Sequence, residues 1–358
     1  MLTTRRRPGA IRAPLIVVTL AFVSAVLVGC AGSGSTSADP RPLTGTAGPS
    51  AVTGSAGSAA GRPATQPARP STLVAVTSRG ALVRLDPSTG RMIRVLRASG
   101  VAPDALALTS DGRTVYYELA SGCQHQVWKV GTDGTDPTLI ADAGSAPAIS
   151  PDGTRLGYAT QYFTCFPDNA LSGYSVVVLD LATRSRRRYP MSPALVANGL
   201  PWPIQHLSWS HDGARLAVSI AAPEDNEGQQ VITMRPSVDT YYIGGGGSGV
   251  LPLTAAESKA DYFFSEGVFL PNGRLFVVRQ CCGGDPINTT SVRLQEVDPT
   301  TGAPVHQVAV GATDQTHTSL DVDATGRWLL YLSGANLEIS LDGTRPTTLT
   351  SGYLAAAW

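Results

Sequence analysis

Five short segments repeat one turn. They are Leu108-Thr-Ser-Asp-Gly-Arg, Ile149-Ser-Pro-Asp-Gly-Thr-Arg-Leu, Trp209-Ser-His-Asp-Gly-Ala-Arg-Leu, Phe269-Leu-Pro-Asn-Gly-Arg-Leu and a degenerate Val322-Asp-Ala-Thr-Gly-Arg-Trp. Asp-Gly and Asn-Gly are the dipeptides that best tolerate the positive φ of a two-residue type I′ hairpin, so each copy is expected to join two antiparallel strands through such a turn. The residues before the turn glycines, Asp111, Asp152, Asp212, Asn272 and Thr325, stand 41, 60, 60 and 53 residues apart, a spacing that suits one four-stranded sheet per repeat with loops of unequal length. From Ser71 onward the apolar residues alternate as in strands, with no stretch of helical periodicity, so the class is all-β.

A second turn recurs downstream of the first, at Asp86-Pro-Ser-Thr-Gly, Asp133-Gly-Thr-Asp-Pro, Asp298-Pro-Thr-Thr-Gly and Asp342-Gly-Thr-Arg-Pro. It marks the hairpin between the third and fourth strands of a sheet. The first sheet shows strands at 72–77, 81–85 and 92–96, with nothing before them to supply an innermost strand. The C-terminal Tyr353-Leu-Ala-Ala-Ala-Trp358 resembles the strand ahead of each Asp-Gly turn but has no turn of its own. It is therefore expected to complete the first sheet and close a ring, which removes the exposed edges of an open array. Five turn copies and this shared sheet predict a six-bladed β-propeller over residues 72–358.

With Ser150-Pro-Asp-Gly-Thr-Arg-Leu in view, the chain resembles the WD-like repeats of TolB-type propellers. That resemblance implies a propeller that binds proteins or peptides at the cell envelope, and it implies no particular chemistry.

The N-terminus carries Arg5, Arg6, Arg7 and Arg12 without an acid, followed by an uncharged apolar run from Ala13 to Val28. This is the charge pattern of a signal peptide. The run is shorter than the roughly 20 residues that span a bilayer. It ends at Leu27-Val28-Gly29-Cys30, which resembles the lipobox of bacterial lipoproteins. The resemblance implies cleavage after residue 29 and acylation of Cys30 with diacylglyceryl and palmitate-type chains, giving a lipid anchor on the extracytoplasmic face of a cell membrane. Two or more acyl chains hold a protein on a bilayer durably, because each buried methylene contributes about 0.8 kcal/mol. Residues 31–70 are almost wholly Ala, Gly, Ser, Thr and Pro and cannot bury enough apolar surface to offset chain entropy. Residues 30–71 thus form a disordered tether spanning about 35 Å.

Of 27 basic and 27 acidic residues, four arginines leave with residues 1–29, so the remainder carries a net charge of −4. A globally basic nucleic-acid binder is disfavoured. Four cysteines remain, Cys123, Cys165, Cys281 and Cys282, an even count that permits two disulfides in an oxidising compartment with three possible pairings. Cys123 with Cys165 across adjacent blades, and a vicinal Cys281–Cys282 bond, is the arrangement we favour, and non-reducing peptide mapping reads it directly.

The tether joins at the face bearing the innermost turns. Loops on the opposite face are expected at 120–126, 161–173, 221–230 and 280–290, with the long connector 191–205 beside them. Long loops on a rigid scaffold are where binding usually resides, and Tyr162, Phe163, Phe166 and Trp202 are the aromatic candidates. Common serine-hydrolase, zincin and P-loop signatures are absent. Gly244, Gly246 and Gly249 match G-x-G-x-x-G only formally. Asp321-Val-Asp-Ala-Thr-Gly326 resembles the start of a calcium loop but places Leu332 where a bidentate glutamate is needed. Arg184, Arg186, Arg187 and Arg188 form a basic cluster suited to solvent or to anionic headgroups.

Two functions follow. The first is a cofactor-free binding or scaffold module for a protein, peptide or glycan of the envelope. The alternative is a lactonase-like, metal-dependent hydrolase with Asp104, His206, Glu266 and His317 at the channel mouth. For the anchor, Cys30→Ser is expected to abolish incorporation of labelled palmitate in cells, and undiminished labelling would place the acyl chains elsewhere.

Overall fold

The computed structural model describes residues 68–122, 124–163, 171–190, 196–197, 200–201, 204–220, 230–234, 263–280, 292–307 and 317–358. Cys30, Cys123, Cys165, Cys281, Cys282, Phe166, Trp202 and the glycine run at 244–249 lie outside them. So do the side chains of Asp104, Tyr162, Phe163 and His317, although their backbones lie in strands. The described residues form strands and turns with no helix, as expected for an all-β chain.

The first sheet contains β1 (Leu73–Thr77), β2 (Leu82–Leu85) and β3 (Met92–Arg97). The second is β4 (Val101–Leu108), β5 (Thr114–Ser121), β6 (Gln124–Gly131) and β7 (Thr138–Ala141). The third is β8 (Ser145–Ile149), β9 (Arg155–Phe163), β10 (Leu171–Asp180) and β11 (Arg186–Pro190). A small ribbon of β12 (Val196–Ala197) and β13 (Leu200–Pro201) interrupts the connector that follows. Then come β14 (Ile204–Trp209), β15 (Leu216–Ile220) and β16 (Gln230–Met234), a three-stranded sheet among the described residues. Two further four-stranded sheets are β17 (Phe263–Phe269), β18 (Leu275–Gln280), β19 (Val292–Val297), β20 (Pro304–Gln307), and β21 (His317–Val322), β22 (Trp328–Ser333), β23 (Asn336–Leu341), β24 (Thr347–Ser351). Finally β25 (Tyr353–Ala357) pairs antiparallel with β1, Val74 opposite Ala357 and Ala75 opposite Ala356, so the last strand completes the first sheet.

The arrangement is a propeller, with one correction to its count. Six complete blades were expected, and five are present with four strands each. The sheet of β14–β16 lacks an outer strand within the described residues, because the stretch that would supply it, 235–262, falls outside them.

Packing explains why the strands read as they do. Six apolar clusters each bridge two consecutive sheets, from Leu82 and Val115 between the first two to Leu73 and Leu330 between the last and the first. A blade strand is buried on both faces, so β15 (Leu-Ala-Val-Ser-Ile) and β22 (Trp-Leu-Leu-Tyr-Leu-Ser) are covered along their whole length.

The Asp-Gly turns depart from the expected type. Only the glycine takes positive φ, from 65° to 81° at Gly112, Gly153, Gly213, Gly273 and Gly326. Ser150 and Arg155 instead bracket a four-residue loop in which the Gly153 amide donates to the Ser150 carbonyl at 2.8 Å. The aspartate acts through its side chain: Asp152 Oδ1 accepts from the Thr154 amide, as Asp111 does from Arg113 and Asp212 from Ala214. These bonds hold the turn, and the Ser150 and Ser210 hydroxyls that donate to Asp152 and Asp212, with the turn amides second to them, hold those carboxyls below the usual range. Asp323 does the same for Arg327 and Trp328, so the calcium-like segment is the turn between β21 and β22. The expected loop 120–126 is also corrected. β5 and β6 run on to pair Ser121 with Gln124, leaving a tight hairpin with Gly122 at φ 60°.

The arginine of the repeat clasps the next blade. Arg155 Nη2 donates to the Gly213 carbonyl at 2.8 Å while its guanidinium stacks 4.7 Å from the Trp209 ring. Arg215 repeats this on Gly273 at 3.2 Å and Phe269 at 4.8 Å. A planar guanidinium does both jobs and an ammonium does not. Arg155→Ala is therefore expected to lower unfolding free energy by about 1–3 kcal/mol, with Arg155→Lys recovering less than half. Urea denaturation reads this, and an unchanged midpoint in both variants would contradict the clasp.

Candidate functional site

The innermost strands β4, β8, β14, β17, β21 and β25 stand side by side around the axis. Each pairs outward within its own sheet rather than with the next innermost strand, and most carry a bulge, at Val101/Leu106, Ser145/Ala148, Ile204/His206, Phe264/Glu266 and Thr318/Asp321. At two bulges a non-glycine residue takes left-handed φ, 48° at Ala146 and 55° at Ser319.

Backbone amides exposed in this way are caught by side chains of the adjoining blade. Glu118 Oε2 accepts from the Ala146 amide at 3.1 Å, and Glu266 Oε1 accepts from the Leu320 amide at 2.9 Å. Ser208 Oγ accepts from the Phe269 amide, Ser219 Oγ from Gly267, and Ser319 Oγ from Ala356. Trp209 Nε1 donates to the Ala148 carbonyl.

Where these strands end, beside the innermost turns, they enclose a cavity of about 220 Å³ open to solvent on one side. Five of the six contribute to its wall, and Trp358 enters it directly after the sixth, β25. Its polar groups are Ser110, Ser150, His206, Ser208, His211, Asp321, Asp323 and Trp358. Asp321 is half-buried, and its carboxyl faces the cavity rather than bulk solvent. It accepts from the Trp358 amide at 2.9 Å and from the Val322 amide at 2.8 Å. Desolvation outweighs those two bonds, Asp323 adds like charge, and the Asp321 carboxyl is pushed up to about 7. His206 is partly buried at the cavity wall, and desolvation holds its ring down to about 4, neutral at physiological pH. The buried indole Nε1 of Trp358 has no hydrogen-bond partner among the described residues, and the same holds for His206 Nδ1. The site thus offers an unmet donor, a neutral imidazole and a near-neutral carboxyl in a polar, partly desolvated cup.

Of the four channel residues expected from sequence, two meet in the described structure. His206 Nδ1 lies 4.0 Å from Glu266 Oε1, beyond hydrogen-bond range, and Glu266 is committed to the Leu320 amide. Among the described residues no three His, Cys, Asp or Glu side chains stand close enough to share a metal ion. The cavity also lies by the innermost turns, away from the described ends of β9, β15 and β18 from which three of the expected loops leave. Asp321 and Trp358 were not anticipated as a pair. The signal that could have paired them is the C-terminal strand, whose closure of the ring carries Trp358 to the axis.

The chain reaches this face from its N-terminal side. Arg69 stacks 5.2 Å from the Trp328 ring and donates to the Pro87 and Ser88 carbonyls in the β2–β3 turn, while Trp328 Nε1 donates to the Ala68 carbonyl. Trp328 in turn meets Trp358 edge to face, centroids 6.5 Å apart.

The sequence matches no family model and no curated protein. Solved structures do match. TolB from Acinetobacter baumannii superposes with a TM-score of 0.54 at 16% identity, over 80% of this chain and 65% of that one. The fold is a TolB-like β-propeller. This chain spans just under two thirds of that protein's length, and an identity this low speaks to fold alone. A chain of a nidogen/laminin complex aligns with a TM-score of 0.51 at 13% identity, over 80% of this chain and 97% of that one. A periplasmic gluconolactonase from Pseudomonas aeruginosa aligns at 0.45 and 15%, over 79% and 96%, a likeness that carries no argument for activity.

The two cavity groups of this TolB-like propeller set opposite pH dependences. His206 titrates near 4 folded and 6.5 unfolded, so its stabilising contribution is present above 6.5 and lost as pH falls toward 4. Asp321 titrates near 7 folded and 3.8 unfolded, so its contribution is present below 3.8 and lost as pH rises toward 7. Between pH 4 and 6.5 the two oppose. Asp321→Asn is expected to lose up to about 3 kcal/mol as pH falls across that window, whereas His206→Gln is expected to be most stable near pH 4. Urea midpoints at both ends of the window test this, and a flat profile in both variants would refute the assignment.

Proposed function

We propose that the chain is a lipoprotein anchored through Cys30 on the extracytoplasmic face of a cell membrane, with its TolB-like propeller serving as a non-catalytic binding module for an envelope protein or peptide. The observation that carries this reading is the cavity at the axis. Five innermost strands contribute to it, Trp358 enters it after the sixth, and the buried indole donor of Trp358 has no partner among the described residues. A buried donor without an acceptor is costly, and a peptide carbonyl entering the cup would satisfy it. Asp321 and His206, both near neutral there, can exchange hydrogen bonds with a backbone without burying a net charge. Protein binding also agrees with the nidogen/laminin complex from which one structural neighbour comes. Loops on the opposite face offer a second surface for the same partner, with Tyr162, Phe163, Phe166 and Trp202 as its aromatic candidates. In the hydrolase alternative, metal would copurify with the full chain.

Crosslinking in intact cells, followed by tagged capture from solubilised membranes, tests the module. Trp358→Phe keeps the ring and removes only the donor, so recovery of a cavity-bound partner is expected to fall about fivefold, the worth of one hydrogen bond. Loss on shortening of the 161–173 loop, with Trp358→Phe unaffected, would move the site to the opposite face. Absence of any specific partner, together with stoichiometric metal in the purified chain, would overturn the module in favour of the hydrolase.

A further inference from the structure

Of the six exposed large apolar side chains among the described residues, Val305 and Leu354 stand apart and four share one part of the propeller rim. Met92, Ile93 and Val95 on β3 are 49–56% exposed, and Leu139 on β7 is 42% exposed. β3, β7 and β11 are the outermost strands of three consecutive blades, each paired on one edge only. β3 is bulged against β2, so that Met92 opposite Leu85 and Val95 opposite Val83 share one face with Ile93 at the bulge between them, and exposure along almost the whole strand means that it protrudes.

Cations surround these apolar groups. Arg91, Arg94 and Arg97 are exposed along β3, as are Arg184, Arg186, Arg187 and Arg188 at β11. The three outer strands themselves carry five arginines and no acid. Nearby acids sit at strand ends and turns, at Asp86, Asp133, Asp136, Asp142 and Asp180, where turn amides and hydroxyls already hold Asp86, Asp133 and Asp180. The three blades form a continuous rim, because Arg94 Nη1 donates to the Asp133 carbonyl and Arg186 Nη2 to the Ile140 carbonyl at 3.3 Å. The N-terminal segment meets this rim too, since Arg69 is fastened to the β2–β3 turn at Pro87 and Ser88.

Arginine alone on an outer strand would serve to block edge pairing with another chain. It does not account for three exposed apolar residues between the arginines. A second copy pairing along β3 would bring like charges together, which disfavours self-association. An anionic bilayer meets both features, since it offers negative charge at the headgroups and an apolar layer just beneath them.

We propose that the rim formed by β3, β7 and β11 lies on an anionic lipid bilayer, the arginines on phosphate headgroups and Met92, Ile93, Val95 and Leu139 sunk at the acyl boundary. This rests on the membrane-anchored reading and deepens it. Contact there would hold the propeller in one orientation, with its axis along the membrane surface rather than free on a long tether.

Hydrogen exchange on the full chain, incorporated into phosphatidylcholine vesicles with or without phosphatidylglycerol, tests the proposal alongside flotation. The chain is expected to float with both vesicles, with amides of β3 and β11 exchanging about fivefold slower on the anionic ones, the effect of roughly one arginine contact. That protection is expected to vanish in about 0.5 M salt, and to weaken in Arg91→Gln/Arg97→Gln and in Ile93→Ser/Val95→Ser while β22 stays protected as a folding control. Flotation with both vesicles and identical β3 exchange would overturn the rim contact and leave the anchor standing. Flotation with anionic vesicles alone, with β3 protected, would support the rim and remove the anchor. Flotation with neither would overturn both, and β3 protection that grows with protein concentration without lipid would replace the bilayer by a second copy.

Discussion

Strands packed around a common axis cannot all pair with one another, and the rest of this molecule depends on how that deficit is met. Each innermost strand has a hydrogen-bonded neighbour outward in its own blade and only side chains toward the next. The bulges free amides at Ala146 and Leu320, and buried glutamates of the preceding blades take them up. A buried carboxylate is costly without donors, and a buried amide is costly without an acceptor. Each solves the other's problem across a blade boundary. Serine hydroxyls at 208, 219 and 319 make shorter versions of the same link, and the repeat arginines fasten the turns from outside.

The cavity is the remainder of that arrangement. Beside the innermost turns, polar groups of these strands and turns line a half-open cup, some of them still holding an amide. Asp321 marks the transition, since it still holds two amides, yet its burial moves its titration to near neutrality. Trp358 joins the cup to the outer surface through Trp328, whose indole is fastened to residues 68 and 69. Occupancy of the cup and the path of the N-terminal segment therefore share a wall.

Several particular residues show how far the sequence could be read. The Asp-Gly repeat located the inner hairpins, but it was assigned to a two-residue turn. Dipeptide preference alone does not show that the aspartate side chain, rather than its φ, would hold the loop. The loop expected at 120–126 closed into a hairpin because β5 and β6 continue to pair through polar residues that look loop-like in isolation. Arg155 and Arg215 stood in plain view within the repeat. Their role depends on an aromatic ring 54 residues further along, Trp209 for Arg155 and Phe269 for Arg215, which only blade packing brings near. His206 and Glu266 were singled out as metal ligands on residue type. The latch geometry gives Glu266 an amide partner and burial leaves His206 neutral.

Local chemistry was enough to settle the class, the repeat, the order of the strands and the closure of the ring by the C-terminus. Turn propensity, alternation and an unpaired terminal strand are properties of neighbouring residues. The amino-terminal address, still to be tested, is of the same local kind. Only the tertiary structure decided which side chains bridge blades, where the cup lies and which arginines share a surface with exposed apolar strands. Those facts depend on residues 40 to 60 positions apart being brought into contact, and on the desolvation that contact imposes on carboxyl, imidazole and indole groups.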